Sequence, residues 1–285
     1  MKINFTFFGT SKFSVLVLEE LKKNGFIPSL IITTEDKPKG RKLILTPPEV
    51  KIWAKKENIP FIQPKSLKDS SIFNTIKEKT FSEDVFIVAS YGKIIPQNIL
   101  DIPKSGTLNI HPSLLPKLRG ASPIQSSILE EDETGVTIIK LDAEMDHGPI
   151  LAQEKIEIAN WPPYANNLEE ILAKKGGEIL SEILPEWIKG KIKEIEQDHK
   201  QASFCKKIEK EDGEINLEDN PETNLRKIRA YNIWPIAFTF YKHKEKNIRL
   251  SIKSARSEDG KLILEKVIPE GKKEMSFEDF KKGLR

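Results

Sequence analysis

Residues 107–116 read TLNIHPSLLP, a short apolar stretch that carries an amide and an imidazole two positions apart and then runs into a loop at a proline. In a strand, side chains at i and i+2 share a face, so Asn109 and His111 turn one way and Ile110 the other, toward a core. Downstream, IIKLDAEMDHGPILAQ sets Asp142 and Asp146 in a turn after a strand, and Gly148-Pro149 redirects the chain. Asp is common in turns because it bonds nearby backbone amides, so neither residue says much by itself. Asn109, His111 and Asp146 taken together supply a hydrogen-bond donor, an imidazole and a carboxylate, which are the parts of charge stabilisation and proton transfer.

The elements that must position this trio alternate through the first 150 residues. INFTFFG, FIPSLIITT, IPFIQP, DVFIVAS, TLNIH and TGVTIIKLD read as strands; SKFSVLVLEELKKNG, PPEVKIWAKKEN, SLKDSSIFNTIKEK and SPIQSSILEE read as helices. Continuous apolar strands between amphipathic helices predict a mostly parallel α/β sheet covered on both faces. In such sheets, sites form beyond the carboxyl ends of the strands, where Asn109 and His111 fall. NNLEEILAKKGGEILSEILPEWIKG predicts a long helix weakened at Gly176 and Gly177 and broken near Pro185. The charged stretch over residues 190–203 reads as a linker, which gives a catalytic domain over 1–189 and a second domain over 204–285. That second domain holds a helix, PETNLRKIRAYN, and short strands joined by polar turns, and predicts a small barrel of the OB type.

Composition excludes several classes. The 285 residues are 38% hydrophobic and 31% charged, without the run of about 20 apolar residues that a membrane helix needs. The first residues suit a buried strand better than a signal peptide. A lone Cys205 leaves no internal disulfide, argues against a Cys-based metal site and fits a cytoplasmic setting. FFGTSKF has one glycine where a dinucleotide fingerprint needs three, so a nicotinamide cofactor is not expected. Residues 200–285 hold 20 Lys or Arg against 15 Asp or Glu, a net +5, while residues 1–199 hold 26 against 28. A modestly basic C-terminal third is compatible with phosphate contacts.

The stretch LNIHPSLLPKLRGASPIQSSILEEDETGVTIIKLDAEMDHGPIL resembles the signature region of the folate-dependent formyltransferases: Asn-x-His, Ser-Leu-Leu-Pro, Arg-Gly-Ala and the Asp of MDHG fall in the family's order. FFGTSKFS, KPKGRKL, SYGKIIP, KIRAYNIWP and PEGKKEMSFEDF extend the resemblance to both ends, toward the branch that formylates charged initiator tRNA. The chain departs from the family at Ser11, Lys42, Pro112 and His147, which stand where Pro, Gly, Gly and Thr are usual.

The resemblance implies a Rossmann-like formyltransferase domain and transfer of the formyl group of 10-formyltetrahydrofolate to the α-amino group of methionyl-initiator tRNA. Asn109 and a protonated His111 would hold the developing oxyanion, with Asp146 orienting His111 and taking the amine's proton through a water. No metal is implied. Ser113, Leu114, Leu115 and Pro116 would contact folate, and Tyr91 and Ile95 would wall the pterin. The insertion TTEDKPKGRKLILTPP is long and charged for a connector, so Lys37, Lys39, Arg41 and Lys42 are expected on the tRNA acceptor end, with Arg119 a further RNA contact. A cytoplasmic monomer is expected. The nearest alternative is a formyltransferase for a nucleotide-linked amino sugar, which should lack the basic insertion. An RNA-binding module that has lost catalysis is a third reading, against which the intact trio stands.

Overall fold

The computed structural model describes residues 3–40, 42–80 and 84–284. Contacts divide the chain into two compact units, neither of them continuous. One takes Met1–Gly120, Gly135–Ile156 and Glu169–Phe204; the other takes Ala121–Thr134, Glu157–Leu168 and Cys205–Arg285.

In chain order the elements begin β1 (Phe5–Gly9), α1 (Lys12–Lys23), β2 (Leu30–Ile32), β3 (Lys37–Lys39), β4 (Ile44–Thr46), α2 (Glu49–Lys56) and β5 (Phe61–Ile62). They continue with α3 (Ser70–Lys79), β6 (Val85–Ala89), α4 (Gln97–Leu100), β7 (Thr107–His111), β8 (Arg119–Gly120) and α5 (Pro123–Glu130). β9 (Thr134–Lys140), β10 (Ile150–Ile156) and α6 (Ala165–Ile188) follow. Seven strands form one sheet in the order β10-β9-β7-β6-β1-β2-β5. Strands β5, β2, β1, β6 and β7 run parallel, and β9 returns antiparallel beside β7. This is the mostly parallel α/β sheet the sequence predicts. Every residue of β1, β6 and β7 is buried, as befits strands covered on both faces.

Helix α6 departs from expectation by running unbroken through both glycines and Pro185. A Cβ on Gly176 would stand 2.5 Å from Ile110 Cγ2. The glycine therefore lets the helix lie against the core-facing side of β7, a gain that outweighs its poor helix propensity. Past Pro185 the last turn is held by tertiary contacts: Leu184 is fully buried, and the Trp187 indole donates to Ser105 O at 2.9 Å. Such contacts offset the ~3 kcal/mol that an interior proline costs.

The second unit contains α5, α7 (Pro221–Ala230), β12 (Phe238–His243), β13 (Lys246–Glu258), β14 (Lys261–Pro269), β15 (Met275–Ser276) and α8 (Phe277–Lys282), with β11 (Phe204–Cys205) at the boundary. The last four strands make an antiparallel sheet in sequential order, a small antiparallel β domain where the sequence predicts a barrel of the OB type. Asn220 caps α7 by accepting from the amides of Glu222 and Thr223, with Pro221 at the first helical position. Arg226 of α7 donates to Ile128 O and Glu131 O, the carbonyls left without helical partners at the end of α5. Trp161 also donates to Glu131 O. These bonds explain why residues 121–134 and 157–168 group with the C-terminal segment, whereas the sequence suggested a single cut near residues 190–203.

Candidate active site

The carboxyl end of β7 carries the trio. Asn109 and His111 are buried, 8% and 3% exposed, with Ile110 turned to the opposite face under α6. Asp146 reaches them from the turn after β9. Its Oδ1 accepts from Asn109 Nδ2 at 3.2 Å and stands 3.5 Å from His111 Nδ1, and its Oδ2 accepts from the backbone N–H of Gly120 at 2.9 Å. Residues spread over 37 positions of sequence thus meet in one cluster.

The imidazole is hydrogen-bonded at one nitrogen and faces the Asp146 carboxylate with the other. His111 Nε2 lies 2.9 Å from Leu118 O. A carbonyl only accepts, so Nε2 carries a hydrogen, and Nδ1 faces Asp146. Both partners sit on unusual backbone: Leu118 has φ 60° and Asp146 φ 50°, in the left-handed region that non-glycine residues seldom occupy. Strain of this sort persists where surrounding contacts fix it.

The Ser-Leu-Leu-Pro loop is pinned over the sheet. Thr137 of β9, register partner of His111, donates through Oγ1 to Ser113 O at 2.7 Å and accepts from Leu115 N at 3.2 Å. Gln153 of β10 donates to Leu115 O at 2.8 Å, and Ser113 Oγ closes the loop on Lys117 O at 2.7 Å. Ser113 and Leu115 are buried, while Leu114 and Pro116 are partly exposed.

Tyr91 and Ile95, expected as pterin walls, belong to the packed cluster of Phe8, Phe86, Val88 and Ile99. Tyr91 is 2% exposed and meets the Phe8 ring edge-on at 5.4 Å. Its hydroxyl has no hydrogen-bond partner among the described residues, and burial pushes its pKa up. Lys37, Lys39 and Lys42 are exposed on and beside the β3–β4 hairpin, next to exposed Leu43, Ile44 and Leu45; Arg41 lies outside the described residues. Arg119 does not fit the expectation of an RNA contact. It is 3% exposed, and its guanidinium bonds Gln197 Oε1 at 2.7 Å and His199 Nδ1 at 2.9 Å, so it is not presented to a phosphate. His147 bonds Asp142 at 2.7 Å and stacks on His199 with ring centroids 4.2 Å apart.

Sequence reasoning missed Gln197, the Gly120 N–H, the Leu118 carbonyl, Thr137 and Gln153. The two backbone groups leave no trace in a sequence, and Gln197 falls in the charged stretch read as a linker. Among the described residues no group of three or more His, Cys, Asp or Glu could hold a metal, and no helix is long and apolar enough to cross a membrane.

Residues 1–184 match the family model described as formyl transferase, and residues 207–261 match the formyl transferase C-terminal domain. The methionyl-tRNA formyltransferase of Thermotoga maritima is 38% identical, over 99% of this chain and 95% of that protein. The methionyl-tRNA formyltransferase of Chloroflexus aggregans is 41% identical, over 83% of this chain and 76% of that protein. Solved structures share the fold. A sugar N-formyltransferase from a Shewanella species aligns with a TM-score of 0.66 at 17% identity, covering 90% of this chain and 99% of that one. The methionyl-tRNA formyltransferase from Clostridium thermocellum aligns with a TM-score of 0.60 at 19% identity, covering 94% and 98%. With both formyltransferase domains in order and relatives of this identity along its length, the chain belongs to the folate-dependent formyltransferase family, in the branch named for methionyl-tRNA.

Proposed function

We propose that the protein transfers the formyl group of 10-formyltetrahydrofolate to the α-amino group of methionyl-initiator tRNA. The observation that carries this reading is the convergence of Asn109, His111 and Asp146 at the end of β7, in a chain whose sequence relatives bear that name. The amine attacks the formyl carbon, and negative charge builds on the formyl oxygen. Asn109 has two amide hydrogens and gives one to Asp146, which leaves the second for that oxygen. His111, with Nε2–H committed to Leu118 O, acts through Nδ1: protonated there, it offers a hydrogen and a positive charge on the side facing Asp146. Asp146 accepts the proton that the attacking nitrogen sheds, through a water. An α-amino group has a pKa of about 7.7–8.0, so about 9–17% is already neutral near pH 7, and a weak base suffices for the proton shed on attack. The oxyanion then re-forms the carbonyl as the bond from the formyl carbon to N10 of the folate breaks, and N10 takes that bond's electron pair together with the proton Asp146 had accepted, returned through the water.

The loop over Ser113–Pro116 lies beside the trio and would hold the folate. Lys37, Lys39 and Lys42 would meet acceptor-end phosphates, with further contacts from the basic C-terminal segment. We place the enzyme in the cytoplasm as a monomer, with catalysis in the unit that carries the trio and tRNA contacts in the unit that carries residues 205–285. The amino-sugar alternative draws only on shared fold, since solved sugar formyltransferases align at 17–21% identity. The test is to incubate the protein with 10-formyltetrahydrofolate and either charged initiator tRNA or an amino-sugar nucleotide. Formyl-methionyl-tRNA is the expected product; formylation of the sugar with none of the tRNA overturns the proposal.

A further inference from the structure

Gln197 lies in the charged stretch 190–203, yet it is 5% exposed and its side-chain amide is saturated. Nε2 donates to Asp146 O at 2.9 Å and to Gly148 O at 2.7 Å, and Oε1 accepts from Arg119 Nε at 3.2 Å and Nη2 at 2.7 Å. The orientation of the amide is fixed by its partners, because guanidinium only donates and carbonyls only accept.

The two carbonyls flank His147, so one side chain grips both ends of the turn that carries Asp146. The turn's own side-chain bonds, Glu144 N–H to Asp142 Oδ1 at 2.9 Å and His147 Nδ1 to Asp142 Oδ2 at 2.7 Å, do not involve the carbonyls of Asp146 and Gly148. Asp146 is in the left-handed region, and Gly148 is pressed so close to Lys140 O that a Cβ there would collide. The Arg119 at the other end of Gln197 precedes Gly120, whose N–H holds Asp146 Oδ2. One amide therefore ties together the backbone of the carboxylate's turn and the strand that anchors the carboxylate itself.

We infer that Gln197 is a positioning residue for the transfer reaction: it sets Asp146 against Asn109 and His111 without touching either substrate. The inference rests on Asp146 being the carboxylate of the reaction. Displacing a reacting group by about 1 Å costs on the order of 100-fold in rate, and it leaves the distant parts of the substrates bound as before.

The test uses the full-length protein with Gln197→Glu, which keeps an acceptor for Arg119 and removes both donors, and Gln197→Met, which removes all four bonds. Binding of 5-formyltetrahydrofolate, measured by calorimetry, counts the intact sites, and turnover of charged initiator tRNA is expressed per site. Both variants should lose about 10- to 100-fold in kcat per site, with KM for 10-formyltetrahydrofolate and for tRNA within about twofold of the parent. A residue that merely supports the fold would lower the number of sites and leave kcat per site unchanged; that result overturns the inference, as does failure of both variants to fold. Asp146→Asn, run beside them, separates the two levels. If it turns over normally, the assignment of Asp146 fails. If it is impaired and the Gln197 variants are normal per site, only the positioning role fails.

Discussion

Asp146 can be replaced by Asn without disturbing its surroundings in size or backbone, because Asn tolerates the left-handed region and keeps an oxygen for the Gly120 N–H. What is lost is the charge, the proton acceptance and the oxygen that accepts from Asn109 Nδ2, so Asp146→Asn should stay folded and lose most of its turnover. Asn109→Ala should cost about 10²–10³ in kcat, the usual loss for one oxyanion donor; single-turnover formylation checks both, and near-normal rates in either folded variant would remove that residue from the mechanism. Glu169 makes a prediction about stability rather than chemistry. Burial holds its carboxyl above the usual range of 4.5 while Lys12 pulls it the other way. A folded-state value above the unfolded one contributes stability that is complete below the unfolded pKa and is lost as pH rises through the folded pKa. Glu169→Gln should therefore raise Tm at pH 7, and the advantage should fade toward pH 4; calorimetry at the two values decides. Asn109 and His111 were legible because strand period sets them on one face; Asp146 became so only through the family resemblance, since Asp is common in turns. Gln197 was not, since a glutamine among charged residues has no period, and two of its partners are backbone carbonyls that any sequence supplies. Arg119 and Tyr91 were misjudged for a related cause: residue type suggested a ligand, while burial depends on where the chain folds back.

At the scale of elements, α6 and the β3–β4 hairpin have opposite relations to the sheet. α6 lies so close that Gly176→Ala must push against Ile110, on the strand that carries Asn109 and His111. Overpacking of this kind costs about 1–3 kcal/mol, and the better helix propensity of alanine recovers up to ~1 kcal/mol. A net destabilisation read by urea denaturation, with a fall in kcat because β7 moves, is the expected outcome; unchanged stability and rate would show that the strand yields freely. The hairpin instead stands exposed on both strands. Replacing Lys37 and Lys39 by Ala should raise KM for tRNA and spare folate binding. It should also flatten the dependence of log affinity on log salt by roughly 0.7–0.9 for each phosphate no longer neutralised. Loss of folate affinity with tRNA use intact would assign the hairpin to the folate instead. Apart from β10, whose Gln153, Glu154 and Lys155 are exposed, the strands of the seven-stranded sheet were readable from their apolar runs. The persistence of α6 was not, because glycine and proline lower local helix propensity while the packing of Ile110, Leu184 and Trp187 is long-range.

At the scale of the molecule, residues 190–203 look from the sequence like the place to divide chemistry from RNA binding. The hydrogen bonds point elsewhere. A chain ending near Ser203 would keep residues 121–134 and 157–168 but lack Arg226, which bonds Ile128 O and Glu131 O, and Arg229, which bonds Pro162 O. Such a fragment should show a lowered Tm and exposed apolar surface, read by dye binding, rather than behave as a clean catalytic domain. A fragment as stable as the parent, with normal folate binding and poor tRNA use, would restore the simple two-domain picture. The same interleaving has a consequence in time. A ribosome adds about 5–20 residues per second, so residues 121–134 emerge roughly 5–20 s before the α7 arginines that will bond their carbonyls. Asp146 likewise waits for Gln197. During synthesis the nascent chain therefore carries a finished apolar sheet beside segments whose partners are not yet made, and the last third of the message controls when the first two thirds can close.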